Sequence, residues 1–328
     1  MSAEIITFGE AMIRLSPPNF LRLEQARSLD LRVGGAELNT AVGLARLGHK
    51  TAWVSRLPDN PLGRLVANHA REAGVNDSHV IYSKDDRLGL YFLEFGAAPR
   101  ASSVVYDRKG SAIAAIQPGM VAWDKVFQGA KWFHVTGITP ALSASAAAVT
   151  KEALIAARKA GVQTSMDLNY RVKLWSTQEA GKCLSELMQH TNALITTEED
   201  VEKVFGITGK DYEDVAAKVA EKFSLDIVAI TLRENPLVWK NSWTGIAYQK
   251  GKVYKTRTYE VEIVDRLGAG DSFAAGLIHG LLTGDIQKAV DWGVATSAIK
   301  HSIPGDFAWV RADEVESLLK GGGLRISR

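Results

Sequence analysis

The sequence predicts an α/β fold, a mostly parallel central sheet with helices on both faces, carrying a small β-sheet as a lid. Two observations predict it. Short apolar runs alternate with helix-period segments along most of the 328 residues, the pattern of βαβ crossovers. Two stretches, 11–34 and 87–117, break that alternation: they are rich in β-formers and turns and lack a helix, so each reads as a hairpin inserted into the α/β body. Two hairpins that pair make a small sheet, and a small sheet over a crevice acts as a lid. The length suits one large α/β domain with an appendage, here a single domain over 1–328.

In chain order, EIITFGEAM (4–12) reads as the first strand and runs into the first hairpin stretch. ELNTAVGLARLG (37–48) has helical spacing, TAWVSRL (51–57) is a strand, and LGRLVANHAREAG (62–74) is helical again. After the second hairpin stretch, KWFHVTG, QTSMDLN, NALIT and DIVAITL read as strands. Between them lie ASAAAVTKEALIAARKAG, EAGKCLSELMQH, EEDVEKVFG and YEDVAAKVAEKF, all with helical periodicity. Several of these helices end in Gly, the usual C-terminal punctuation. Behind the glycine turn 268–270, Phe273, Ala274, Leu277, Ile278, Leu281 and Leu282 recur at helical spacing, so one face of a further helix is buried.

Apolar residues make up 46% and charged residues 23%, with a formal net charge of +2. That balance is ordinary for a globular protein and lacks the broad basic field of nucleic-acid binders. No stretch approaches the ~20 apolar residues that cross a bilayer. MSAEIITFGE has neither a basic n-region nor a signal-like core, so a cytoplasmic protein with no membrane or nucleic-acid partner is expected. Cys183 is the only cysteine, which excludes an internal disulfide and a cysteine metal cluster. In the helical QEAGKCLSELMQH it reads as a small buried residue. His49, His69, His79, His134, His190, His279 and His301 are scattered without ligand spacing, so no protein-built zinc site is expected.

The chemistry concentrates in VDRLGAGDSFAAGL (264–277), where Asp271 stands behind Gly268-Ala269-Gly270 at the start of a helix. The first backbone N–H groups of a helix lack internal partners, and the dipole there favours negative charge. Glycines let an anion approach that backbone closely. Taken alone, the Asp also fits a plain helix cap. A carboxylate repels phosphate, however, and the conflict resolves if Asp271 serves the other reactant: a base beside an anion site takes a proton from a hydroxyl as that hydroxyl attacks phosphorus. The stretch is not GxxxxGK[ST], so it is not a Walker loop.

DRLGAGDSFAAGL resembles the C-terminal D-T-x-G-A-G-D-x-F signature of the ribokinase-like carbohydrate kinases. RVGGAELNTAVGLARLG (32–48) resembles the N-terminal G-G-x-x-x-N signature of the same family, with Gly34, Gly35 and Asn39 in place. The two stand in the family's order, about 230 positions apart, and the resemblance spans nearly the whole chain. It implies a ribokinase-like three-layer sandwich with a β-lid, ATP with Mg²⁺, and Asp271 as base. Within the family, VVYDRKGSA (104–112), DLNYRVKLW (167–175) and WFHVTGITPALS (132–143) resemble the branch that phosphorylates 2-keto-3-deoxygluconate.

A sugar acid carries a carboxylate, which a planar guanidinium holds through two parallel hydrogen bonds. Arg108 on the lid and Arg171 after a strand are the candidates, with Tyr91 and Tyr106 as hydroxyl donors and a ring wall. The same residues also fit plainer roles: a solvated hairpin charge for Arg108, lid core or dimer contacts for the tyrosines. The resemblance further implies that Gly34, Gly35 and Asn39 hold substrate hydroxyls and that Asp271 takes the proton of the terminal (C6) hydroxyl. It implies that the N–H groups of Gly268, Ala269, Gly270 and Asp271 stabilise the transferring phosphoryl, which Arg171 bridges to the sugar acid. The nucleotide is expected beside Asn169, Thr231, Leu232, Gly268, Gly270 and Ser297. Mg²⁺ is expected through the nucleotide and waters near Asp200, without direct protein ligands. A homodimer or larger homo-oligomer through the lid is expected, because an exposed sheet face and its edges need cover.

Four positions depart from the family pattern. The nucleotide loop T-x-G-x-x-G is TLRENP, with Arg233 and Pro236 at the glycine positions. N-x-x-E appears as Thr197-Glu198-Glu199-Asp200, and Arg266 replaces the usual Thr of D-T-x-G, so a monovalent cation is not assigned. KHSIPGDFAW lacks the usual alanine after PG. The rival readings are another sugar kinase of the family, such as a fructokinase, and a non-catalytic sugar-acid or nucleotide sensor on the same fold.

Overall fold

The structure, a computed structural model, describes residues 3–237 and 239–322, with all their side chains except those of 233–237. The strands are β1 (Ile5–Phe8), β2 (Met12–Ser16), β3 (Asp30–Gly34), β4 (Thr51–Pro58), β5 (Asn76–Ser83), β6 (Leu90–Glu94) and β7 (Ser103–Asp107). They continue with β8 (Trp132–Thr136), β9 (Gln163–Asp167), β10 (Ala193–Thr196), β11 (Ile227–Leu237), β12 (Lys240–Gln249), β13 (Lys252–Lys255) and β14 (Tyr259–Glu262). The first five helices are α1 (Ala36–Arg46), α2 (Pro61–Glu72), α3 (Trp123–Val126), α4 (Ala144–Lys159) and α5 (Thr177–Met188). The others are α6 (Glu198–Phe205), α7 (Tyr212–Phe223), α8 (Ala269–Thr283), α9 (Ile286–Lys300) and α10 (Ala312–Leu319).

The main sheet runs β13–β12–β11–β10–β9–β8–β1–β4–β5, with β14 also on β12. From β11 to β5 every neighbouring pair is parallel, and β1 and β8 are buried along their whole length, as strands covered on both faces must be. One helix layer packs through Val149, Leu154, Leu184, Val201 and Val219. The other packs through Phe273, Leu277, Ile278 and Val290 of α8 and α9. The chain winds from β1 to β4 and β5 in one direction and from β8 to β11 in the other. At such a switch point the loops after the strands' carboxyl ends part and leave a crevice.

The two hairpin stretches do pair. β2 and β3 are antiparallel, β6 and β7 are antiparallel, and a parallel β2–β6 contact joins them as β3–β2–β6–β7. Ile13, Val33 and Leu88 anchor this small sheet on Leu38, Val42 and Leu57 of the body.

Two readings change and one strand is added. EIITFGEAM is not one strand: β1 ends at Phe8 in the main sheet and β2 begins at Met12 in the small one. Gly9 makes the break, its carbonyl taking hydrogen bonds from Trp53 Nε1 (3.2 Å) and Ser55 Oγ (2.7 Å) in place of a ladder partner. NDSHVIYS, to which the sequence reading assigned no element, forms β5, an edge strand with partly exposed side chains. TLRENP forms no glycine loop. With no glycine to turn on, β11 continues to Leu237 and folds back antiparallel on β12, with Leu237 opposite Lys240.

Candidate active site

Helix α8 starts at the glycine turn, with Gly268 as N-cap in the left-handed region (φ 81°). A side chain there is excluded twice over, because a Cβ would also stand 1.9 Å from the Asp306 carbonyl oxygen. Gly270 faces open space, with nothing within 4 Å of a built Cβ. The turn therefore offers N–H groups, a helix dipole and room for an anion. Asp265 shapes it from behind, its carboxylate accepting from the Leu267 N–H (3.1 Å), the Gly305 N–H (2.9 Å) and Arg14 Nη2 (2.7 Å).

Asp271 lies in the first turn of α8, and its Oδ2 accepts from Asn39 Nδ2 at 2.7 Å. Asn39 Oδ1 in turn accepts from the Gly35 N–H at 3.3 Å. The N-terminal glycine signature is thus tied directly to the C-terminal one. Burial pushes the Asp271 carboxyl up to about 6, against the Asn39 hydrogen bond and the charges of Arg171 and Lys300. A carboxylate poised near neutrality suits a general base.

Two cavities meet at this carboxylate. The larger, about 250 Å³, is lined by Asp167, Thr197, Asp200, Thr231, Asn241, Trp243 and the turn 266–271, among others. The smaller, about 100 Å³, is lined by Glu10, Gly34, Gly35, Asn39, Tyr91, Tyr106, Arg108 and Asp306, among others. Asn169, Arg171, Leu267, Gly268 and Asp271 line both. Asn169 has φ 40°, a left-handed conformation that Asn tolerates better than most residues.

The smaller chamber lies under the small sheet. Arg108 is almost fully buried, pairs with Glu10, and lies 5.5 Å from the centre of the Tyr106 ring. Among the described residues its Nε is buried without a hydrogen-bond partner, which leaves a donor for an incoming anion. Tyr91 and Tyr106 pack with ring centres 5.9 Å apart, and the Tyr91 hydroxyl donates to Asp306 Oδ2 at 2.5 Å. Arg14 Nη1 reaches Asp306 Oδ1 at 2.8 Å, so this buried carboxylate is paired. Glu37 Oε1 accepts from the Thr136 N–H, Thr136 Oγ1 and Thr139 Oγ1 at 3.0, 2.8 and 2.7 Å, and burial still raises its carboxyl to about 7.

The larger chamber is acidic at its inner end. Burial, with Asp271 and Asp200 nearby, raises Asp167 to about 8, and burial raises Asp200 as well. Carboxylates that press on one another in this way fit a cavity that receives a divalent cation. No group of three potential ligands stands ready to bind a metal directly among the described residues. Asp167 and Asp200 are the carboxylates that would meet an Mg²⁺ arriving with a nucleotide. Arg171 borders the same space, solvent-exposed, and bears on Asp167, Asp200 and Asp271.

Not every expected residue reaches the crevice. Thr231 lines the larger chamber, but Leu232, next along the strand, points to the opposite face and packs on the core. Ser297 is fully buried beneath the turn, where its Oγ donates to the Ala269 carbonyl at 2.7 Å. The sequence reading overlooked Glu10, Glu37, Asp167 and Asp306. Signals existed for the last two: Asp167 is a charge at the carboxyl end of an apolar strand, and Asp306 is the acidic residue of the irregular PGD turn.

Two chambers that share a buried carboxylate at a helix N-terminus fit a phosphotransferase of two small-molecule substrates. Residues 2–306 match the pfkB family of carbohydrate kinases, and the chain belongs to that family. It is 40% identical over 329 residues to the 2-dehydro-3-deoxygalactonokinase of Haloferax volcanii, covering 100% of both chains. The crystal structure of the 2-dehydro-3-deoxygluconokinase of Thermotoga maritima has a TM-score of 0.95 at 42% identity, covering 98% of this chain and 99% of that one. The 5-dehydro-2-deoxygluconokinase of Bacillus subtilis is 30% identical over 97% of this chain and 96% of its own.

Proposed function

We propose that the chain is a cytoplasmic kinase that transfers the γ-phosphoryl group of ATP to the terminal C6 hydroxyl of 2-keto-3-deoxygluconate, giving 2-keto-3-deoxy-6-phosphogluconate and ADP. The observation that carries this reading is Asp271, shared by the two chambers, with Arg108 and Arg171 lining the smaller one. The sugar acid sits under the small sheet with its carboxylate toward Arg108 and Arg171, and its hydroxyls meet Gly34, Gly35, Asn39 and the tyrosines. ATP occupies the larger chamber beside Asn169 and Thr231. Bound with the nucleotide near Asp167 and Asp200, Mg²⁺ would supply charge neutralisation of the phosphates. Asp271 removes the C6 proton as that oxygen bonds to phosphorus and the bond to the ADP oxygen breaks. The N–H groups of Gly268 to Asp271 hold the charge of the transferring group, and preorganised donors of this kind are often the largest catalytic contribution.

Relatives named for three different deoxy-keto sugar acids support an acid over a neutral sugar. The 40% identity to a galactonate-named kinase favours a second reading, in which the C4 epimer is accepted too. An ATP-consumption assay across both epimers, other aldonates and neutral hexoses tests this. Turnover is expected on the 2-keto-3-deoxy acids and little on fructose. A preference for fructose overturns the sugar-acid reading, and no turnover on any of them overturns the kinase reading.

We further propose a homodimer built on the small sheet. Phe20, Leu29, Leu31 and Val105 are exposed there at 52%, 38%, 39% and 54%, a face that a second copy covers economically by twofold symmetry. Sedimentation at micromolar concentration is expected to give a dimer or larger species, and a monomer refutes it.

A further inference from the structure

Lys300, the last residue of α9, has 0% exposure and does not line the crevice. It sits behind the glycine turn. Its Nζ donates to two main-chain carbonyls, Asp265 at 2.9 Å and Ile303 at 3.3 Å. Those carbonyls come from two different loops. One opens the turn that presents N–H groups to the crevice, and the other leads to Asp306. One helical turn earlier on α9, Ser297 Oγ donates to the Ala269 carbonyl, so this helix end grips the glycine turn at two places.

The arrangement is unusual for a lysine. A buried ammonium is costly unless paired and hydrogen-bonded, and the carboxylate of Asp265 is already occupied by Arg14 and two backbone N–H groups. The ammonium therefore meets carbonyl oxygens; burial lowers its pKa, and the neighbouring charges of Asp265, Asp306 and Asp271 work against that loss. Two carbonyls converging on one compact charge are the kind of oxygen donors that a monovalent cation also takes. Lysine is suited to supply that charge, being a point charge on a flexible stem.

We propose that Lys300 is a built-in cation, a positioning residue that holds the 265–268 turn and the 303–306 loop together and lends positive potential to the phosphoryl site, so that the enzyme needs no added monovalent cation. The inference rests on the kinase reading only for its activity readout. Wild-type kcat is expected to be the same, within about twofold, in tetramethylammonium buffer and in added K⁺. Lys300→Met is expected to lose at least about tenfold in kcat, a ~1.4 kcal/mol change in barrier. Ammonium or K⁺ should restore much of that loss and raise the Tm of the variant but not of wild type, as a ligand of the folded state does. Lys300→Ala, which leaves more room, should be rescued more fully. Strong stimulation of wild type by K⁺ overturns the proposal, as does a folded Lys300→Met with undiminished turnover. A loss that neither cation relieves in either variant, by kcat or by Tm, overturns it too. If neither variant folds under any condition, the wild-type comparison decides. An inactive wild type would sink the kinase reading instead, leaving the Tm arm to judge Lys300.

Discussion

Asp271→Asn is expected to lower kcat by roughly 10²–10⁴, the usual contribution of a positioned general base, while ATP still binds. The amide keeps the shape and an oxygen for Asn39 Nδ2 but cannot take the C6 proton. The wild-type carboxyl sits at about 6, so kcat/KM should fall tenfold per unit below that pH, and the residual activity of the variant should lack this limb. Stability should move the other way. The folded carboxyl lies above its ordinary 3.8, so the contribution it makes when protonated is complete below pH 3.8 and is lost as pH rises through about 6. At pH 8 wild type carries that cost in full, on the order of 3 kcal/mol at ~1.4 kcal/mol per unit. Asp271→Asn removes it, so thermal melts at pH 8 should show a higher Tm for the variant. Near-normal kcat, or an acid limb that persists in the variant, would take the proton-transfer role away from this residue.

Arg108→Ala should raise KM for 2-keto-3-deoxygluconate by roughly ten- to a hundredfold, from a charge-assisted hydrogen bond of roughly 1.5–3 kcal/mol. Its weak activity on fructose should barely change, since fructose has no carboxylate to lose. The buried Glu10 carboxylate that now pairs with Arg108 sharpens the comparison, because the substrate's carboxylate has to share or replace that partner. Arg171→Ala should lower kcat as well as raise KM, because its charge also bears on Asp271 and the inner carboxylates. Equal weakening of both substrates by Arg108→Ala would make that arginine a support of the small sheet and not a reader of the acid.

Much of this molecule is local and was therefore legible. Alternating apolar runs and 3.6-residue periods are properties of neighbouring residues, and they set the strands and helices of the parallel body. Gly268 and Asp271 act within one turn of chain, so the anion site and its carboxylate could be read from VDRLGAGDSFAAGL. The two hairpin stretches announced themselves by lacking a helix, and they form the small sheet. What lay beyond the sequence is whatever depends on which segments meet. The Asn39–Asp271 hydrogen bond joins residues 232 positions apart, and Arg14 finds Asp306 across 292. Strand order sets such distances, and no local pattern encodes it. The same holds for face and for ending. Leu232 points into the core and Thr231 into the crevice because β11 stays paired with β12 past the place where a glycine loop would have left it. Nothing in the local sequence marks Lys300. Only packing α9 behind the glycine turn made it a buried charge, because a side chain's partners are fixed by what the fold places around it.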